Sequence, residues 1–549
     1  MSLSDGLIKL ADHAPWLMEK IQGVHWLNSA LNSTIIDAIV DKGEHRPLPY
    51  SLWTPRPVGQ YLPAGAVEVP VDYISWASLT DRRFTARHLP SADQAYCDRL
   101  PPLADVLRLY QRAAFTPSKT TSALLCFFAQ WFTDSVLRTN PYDRRMNTSN
   151  HEIDLCQIYG LDADTAALLR VGRAGLLKTS SGGLFPPRLT DDAAKPLPEF
   201  DDLPYLTIGP DGATLEDDVL STLEVPPAEA IKRKARLYAT GLERGNSTVI
   251  YAAISTVFIR EHNRICGLLA KSFPAWDDAR LFETARNINI VMLLCLVINE
   301  YINHIAQSPF RLSLERNFAE RQAWYRTNRI AIEFDLLYRW HSLVPNVLTV
   351  DGAVLGGNDY RFNNLLLEHH GVETLIAAAS RDPAGRLGVG NNPDFLAYAE
   401  ANAHAFARAQ RLQSFTAYQA CFHEDVAADF EDLAGDTPLT AQLAALYPAG
   451  VQDVELLVGL FAQQHRDDEV LPGLMRTMVA VDAFSQILTN PLLAANIYCD
   501  QAFSAVGQKI INTTKSFQDL VARNAAPGTE GVVYASFALH VAASDGVQL

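Results

Sequence analysis

Residues Ile330–Pro345 read IAIEFDLLYRWHSLVP. The apolar spacing predicts a helix. Tyr338 and His341, three residues apart, then project from one side of it, and Pro345 ends it soon after. Imidazole is a good iron ligand, and a phenol beside a macrocycle is oxidisable, so the pair suits a haem site. A core histidine with a satisfied hydrogen bond fits the same letters, and periodicity alone leaves both readings open.

A second stretch, Leu124–Arg138 (LLCFFAQWFTDSVLR), places Gln130 and Asp134 one turn apart on one helical face. Two polar groups among Phe127, Phe128, Trp131 and Phe132 need a reason to be buried.

The chain has 549 residues, 48% of them hydrophobic and 20% charged, the composition of a globular protein with a large core. Its formal net charge of -16 disfavours nucleic acid as a partner. The seven cysteines, Cys97, Cys126, Cys156, Cys266, Cys295, Cys421 and Cys499, are scattered without a C-x-x-C spacing, which predicts neither a disulfide framework nor a zinc ribbon. No basic region followed by an apolar run opens the sequence. The longest apolar run, Val291–Ile298, is far shorter than the roughly 20 residues of a spanning helix. A cytoplasmic location is the expectation.

Helical periodicity covers 101–139, 228–270, 277–306, 319–343, 392–425, 437–446, 452–465, 471–488 and 501–523, while strand-like alternation is scarce. The expected fold is mainly α: one large domain over 46–549 preceded by a small amphipathic arm over 1–45. Between Ala14 and Ile39 that arm carries Trp16 and Trp26 among aliphatics. It reads either as packed on the body or as dipping into one face of a bilayer.

Eight further stretches, taken in chain order, surround the first. They include SWASLTDRRFTARHLP (75–90), FFAQWFTDSVLRT (127–139), HEIDLCQIYG (151–160), TVFIREHNRICGLL (256–269), FPAWDDARLFETAR (273–286), NNLLLEHHG (363–371), VDAFSQIL (481–488) and GQKIINTT (507–514). Together with LYRWH they resemble the cyclooxygenases of the animal haem peroxidase superfamily, over roughly 15–520 and in that family's order.

The resemblance implies a helical haem peroxidase fold and a haem b cofactor whose iron is held by His341. It implies that Tyr338 is the tyrosine that becomes a radical and takes hydrogen from a fatty acyl chain. Gln130 matches the distal-side glutamine. Ser485, Tyr301, Ile302 and Trp340 match positions around the substrate channel. An unsaturated lipid or other apolar substrate, O2 and peroxide are the implied reactants, with a homodimer and peripheral membrane contact as further expectations. A peroxidase or peroxygenase acting on a small organic molecule, and a non-catalytic haem- or lipid-binding relative, are the competing readings.

The departures from the family matter as much. Asp134 stands where the distal histidine would be. That histidine's proton transfer is of a kind worth roughly 10²–10⁴-fold, so peroxidase activity is expected to be weakened, Asp134 either replacing the base or disabling the step. Ser308 replaces the tyrosine of the family's carboxylate clamp, and the clamp's arginine falls near Ile39. Lys42, Arg46 and Arg311 are the candidate cations to stand in for it. Arg339 replaces a histidine beside Tyr338, Leu457 replaces a second tyrosine, and no cysteine-rich module is present.

Overall fold

The computed structural model describes residues 25–41, 80–140, 143–201, 203, 225–307, 310–316, 318–325 and 329–540. The architecture is a body of α-helices with two small two-stranded sheets at its edge. The long helices are α1 (His25–Asp41), α2 (Ala123–Thr133), α3 (Val249–Ser272), α4 (Asp278–Leu296), α5 (Ile332–Leu337), α6 (Val372–Arg381), α7 (Ala397–Ala409), α8 (Gly473–Leu488) and α9 (Asp500–Thr513). α5 is short, but it carries the site.

Side-chain caps set where the central pair begins. Thr248 accepts from the amide of Tyr251 at the start of α3, and Asp277 accepts from that of Arg280 at the start of α4. α3 packs on α4, α2 and α6, and α4 packs on α9, so the middle of the body is helix on helix. α4 runs on through a π-helical turn, Val297–Ile302, into Asn303–Ala306. The whole rod from Asp278 to Ala306 is long and apolar enough to cross a bilayer, yet most of it is buried inside the protein. The π turn inserts one extra residue per turn, a feature frequent at functional sites. Here it carries Tyr301 and Ile302.

α1 lies against α8, with Ile36 and Val40 fully buried. Asn32 Nδ2 donates to the Ser313 carbonyl at 2.8 Å, and Trp324 Nε1 donates to Asp37 Oδ1 at 2.8 Å. The rest of the 1–45 arm, Trp16 included, lies outside the described residues.

Several expected helices are broken. The 101–139 stretch becomes a short helix (Leu103–Leu107), a strand (β1, Pro117–Ser122) and only then α2. The expected helix over 392–425 breaks between α7 and Phe415–Cys421, and the one over 501–523 breaks between α9 and Phe517–Arg523. The largest departure is at 319–343, where α5 stops at Leu337. Tyr338 is its C-cap (φ −85°, ψ 16°), and His341 opens a separate 3-10 turn, His341–Leu343. Tyr338 and His341 therefore do not share one helix. The backbone at Trp340 (φ −79°, ψ 47°) breaks the periodicity that the spacing implied.

That turn is held from behind. β2 (Val347–Val350) and β3 (Ala353–Gly356) form a hairpin through Asp351-Gly352, both at positive φ, as a two-residue Asp-Gly hairpin turn demands. β4 (Pro383–Gly385) pairs with β1 and passes against the back of the His341 turn. A Cβ built on Gly385 would run into the Ser342 carbonyl. Arg112 donates to the carbonyls of Ser342 (3.2 Å) and Val344 (2.9 Å), and the Gly388 amide donates to Ser342 Oγ at 3.2 Å.

Gly385→Ala is expected to lower the unfolding free energy by about 1–3 kcal/mol, because backbone rather than a flexible side chain must yield. Urea titration of this variant against Gly531→Ala, whose added Cβ meets nothing within 4 Å, checks it.

Candidate active site

His341 is positioned by the turn described above, and its ring is fixed by a buried carboxylate on α7. Nδ1 lies 2.6 Å from Glu400 Oε2, the same oxygen that accepts from Asn392 Nδ2 at 2.7 Å. His404 Nε2 sits 3.1 Å from the other oxygen of Glu400, without hydrogen-bond alignment. Glu400 is buried, and its carboxyl stays ionised well below the usual range, at about 2. Burial opposes that ionisation, and the hydrogen bond from His341 with the close approach of His404 outweighs it. Holding Nδ1 leaves Nε2 as the nitrogen available to a ligand, and His341 lines the neighbouring cavity.

That cavity measures about 500 Å³. His341, Tyr338, Arg339 and Trp340 form one wall, and Gln130, Thr133 and Asp134 of the α2 end form another. The structure thus brings the two sequence stretches to one space. Gln130 Nε2 donates to Ser247 Oγ at 3.3 Å. Asp134 Oδ1 is 3.8 Å from Arg244 Nε, while Oδ2 is buried without a hydrogen-bond partner. Burial pushes the Asp134 carboxyl up to about 6, against the opposing charges of Arg244 and Arg138. The group therefore sits where it both takes and returns a proton near neutrality.

Tyr338 is enclosed by aromatic rings. Trp340 stacks on it at 4.5 Å between centroids, and Phe334 meets it edge-on at 5.2 Å. Its hydroxyl has no hydrogen-bond partner, nor does that of Tyr301, although the two phenols are near enough to perturb each other. Burial, first of all, raises both above the usual phenol range. Tyr301 is fully buried and lines neither this cavity nor a second one of about 680 Å³. Ile302, next along the π turn, lines the second cavity with Ile35 and Ile39 of α1, Ile305, and Val481 and Phe484 of α8.

The other expected channel residues divide. Trp340 lines the first cavity and not the second. Ser485 is buried in α8, lines neither, and donates back to the Asp482 carbonyl at 3.0 Å. Arg311 is exposed and lines neither cavity, and Ser308, Lys42 and Arg46 lie outside the described residues. The cations at the wall of the second cavity are instead Arg466 and Arg476, each beside Glu469.

Sequence reasoning did not find Glu400, Asn392 or Arg244. For Glu400 a signal existed. In AYAEANAHAF, Glu400 and His404 fall one turn apart on an alanine-rich helix, an arrangement that buries both. Nothing local marks Arg244.

The pocket's donor set fits a porphyrin. One imidazole, His341, lines a cavity together with Phe127 and Phe406, and Arg144, Arg244 and Arg339 in its wall suit carboxylate substituents. Arg339 Nε and Trp340 Nε1 are buried there without partners. Among the described residues no cluster of three or more His, Cys, Asp or Glu could hold a bare metal ion.

The family model for animal haem peroxidase matches residues 116–374. Prostaglandin G/H synthase 1 of Mus musculus is 30% identical over 482 residues, which is 85% of this chain and 74% of that protein. The chain belongs to the cyclooxygenase-like branch of the animal haem peroxidases. Prostaglandin G/H synthase 2 of Equus caballus is 29% identical, over 82% of this chain and 72% of that protein. Among solved structures, the fatty acid alpha-dioxygenase of Oryza sativa superposes with a TM-score of 0.70 at 13% identity, covering 98% of this chain and 97% of that one. Peroxidase A of Dictyostelium discoideum gives 0.63 at 15%, over 90% and 95%. These two establish the fold. As a haem peroxidase of this branch, the chain is a haem-binding oxidoreductase.

The raised Asp134 carboxyl has a thermodynamic signature in the haem-free chain. A folded-state value above the unfolded one means that the native state binds the extra proton, so stability is lost as pH rises from about 4 to about 6. Asp134→Asn removes that loss. Its stability relative to wild type is expected to climb through this window and level off above it, by on the order of 3 kcal/mol. Chemical denaturation at pH 4, 6 and 8 measures it.

Proposed function

We propose that this enzyme is a haem-dependent dioxygenase of an unsaturated fatty acid or related lipid, initiated by a radical on Tyr338. The observation that carries the reading is the placement of Tyr338. Its phenol lies on the wall of the cavity that His341 faces, and it neighbours Tyr301, the residue before the cavity-lining Ile302. The names of the relatives, prostaglandin G/H synthases and fatty acid alpha-dioxygenases, support a lipid as substrate class.

His341 would hold the iron of haem b through Nε2, Glu400 would fix that ring, and Arg144, Arg244 and Arg339 would meet the carboxylates. When bound, haem with a peroxide supplies a one-electron oxidising equivalent within reach of the phenol. Burial keeps Tyr338 a protonated phenol at any working pH, so the side chain always carries a hydrogen atom to give up. As a phenoxyl radical it takes a hydrogen atom from a methylene, forming O–H as C–H breaks. O2 adds to the carbon radical, and the resulting peroxyl regains a hydrogen atom from Tyr338, restoring the phenoxyl. The aromatic walls of Trp340 and Phe334 exclude water and external reductants from that radical. The apolar side chains Ile302, Ile305, Val481 and Phe484 hold a hydrocarbon chain by burial alone.

Asp134 supports a second reading, peroxide-driven oxidation of a small organic molecule. Its unpartnered Oδ2 and its value near 6 suit it to move a proton between two oxygens.

Oxygen uptake by the haem-loaded protein with a panel of unsaturated lipids separates the two. Tyr338→Phe is expected to lower uptake by at least a hundredfold while leaving peroxide turnover of a small phenol in place. Uptake that survives in the variant refutes the radical assignment. A Soret band that persists in His341→Ala refutes the ligand.

A further inference from the structure

We propose that Glu400 is a positioning residue that gives the axial imidazole anionic character, making this centre more electron-rich than an unassisted histidine ligand would. The inference rests on His341 as the iron ligand. Its physical basis is the hydrogen bond itself. At 2.6 Å, Nδ1 to Glu400 Oε2 is at the short limit for a nitrogen donor to an ionised carboxylate, the strong class of protein hydrogen bond. The surrounding structure is arranged to keep it so. Asn392 Nδ2 donates to the same oxygen at 2.7 Å, which fixes the plane of the carboxylate, and its other oxygen is backed by His404. Glu400 itself is buried, so water does not compete for the imidazole proton. Both ends are rigid. Glu400 stands on α7, and His341 stands on a turn clamped by Arg112, Gly388 and the close passage of Gly385.

A ligating histidine whose second nitrogen donates to a carboxylate is a stronger base toward the metal. A stronger axial donor stabilises the ferric over the ferrous state and favours O–O cleavage. That bears on the chain's own peculiarity, because the opposite side of the pocket offers Asp134 and no imidazole. The carboxylate behind His341 supplies from the proximal side part of what a distal histidine would otherwise contribute.

Two readouts other than turnover test it on the full chain loaded with haem: the iron–histidine stretching band of the ferrous protein, by resonance Raman spectroscopy, and the ferric/ferrous midpoint potential. Glu400→Gln keeps an oxygen at the same position and removes the charge. The expected result is a band at lower frequency and at least a tenfold shift toward the ferrous form, about 59 mV for one electron. His404→Gln, which changes only the backing of the carboxylate, is expected to move both readouts less. Identical bands and potentials in wild type and Glu400→Gln overturn the proposal and leave Glu400 as a tether between α7 and the turn. Should Glu400→Gln fail to fold or to take up haem, the wild-type band alone decides. A frequency in the range of imidazolate-like ligands supports the proposal, and one in the range of neutral histidine overturns it. A band that persists in His341→Ala overturns the ligand assignment instead, so the two failures are distinguishable.

Discussion

A helix that stops at Leu337 is the constraint on which the site depends. Had α5 continued, Tyr338 and His341 would lie almost one above the other on one face, with one hydrogen-bonded backbone turn fixing their separation. Instead the chain caps at Tyr338, turns at Trp340 and restarts as a 3-10 turn at His341. The phenol keeps the core environment of α5, packed by Phe334 and Trp340. The imidazole passes to a turn whose carbonyls are bound by Arg112 and whose back touches β4. Two rings three residues apart thereby gain independent supports, and one of them reaches a carboxylate 59 positions further along the chain.

Polar atoms without partners are expensive inside a protein, at about 1–3 kcal/mol each. Several lie around this break: the hydroxyls of Tyr338 and Tyr301, Trp340 Nε1, Arg339 Nε and, across the cavity, Asp134 Oδ2. Of these, the atoms of Tyr338, Arg339, Trp340 and Asp134 belong to residues that line the one cavity. The letters of Ile330–Pro345 left both readings, haem site and core histidine, open.

How much of this was legible in the sequence follows from the range of the interactions involved. The helical class, the long rods over 277–306 and 471–488, and the pairing of polar residues at Gln130 and Asp134 rest on local periodicity, and the structure has them. The helices expected over 101–139 and 319–343 are interrupted: the polar, partly exposed PSKTTS of the first is drawn into a strand by pairing with β4, and in the second the backbone turns at Trp340. Glu400 behind His341, and Arg244 beside Asp134, are long-range contacts that no window of sequence contains. Ile302 lines a cavity, whereas Ser485 lines neither and its hydroxyl turns back on its own helix.

The two ends of the first cavity are unequal in a way that bears on chemistry. On one side an ionised, buried carboxylate is committed to an imidazole proton. On the other a carboxylate of slightly greater intrinsic acidity is pushed upward by burial and keeps an oxygen unengaged. The same functional group is thus placed in opposite protonation regimes by its partners alone: histidines and an amide hold Glu400 charged, while Asp134 has only arginines at longer range. Burial acts upward on both carboxyls, and only at Glu400 do the partners outweigh it.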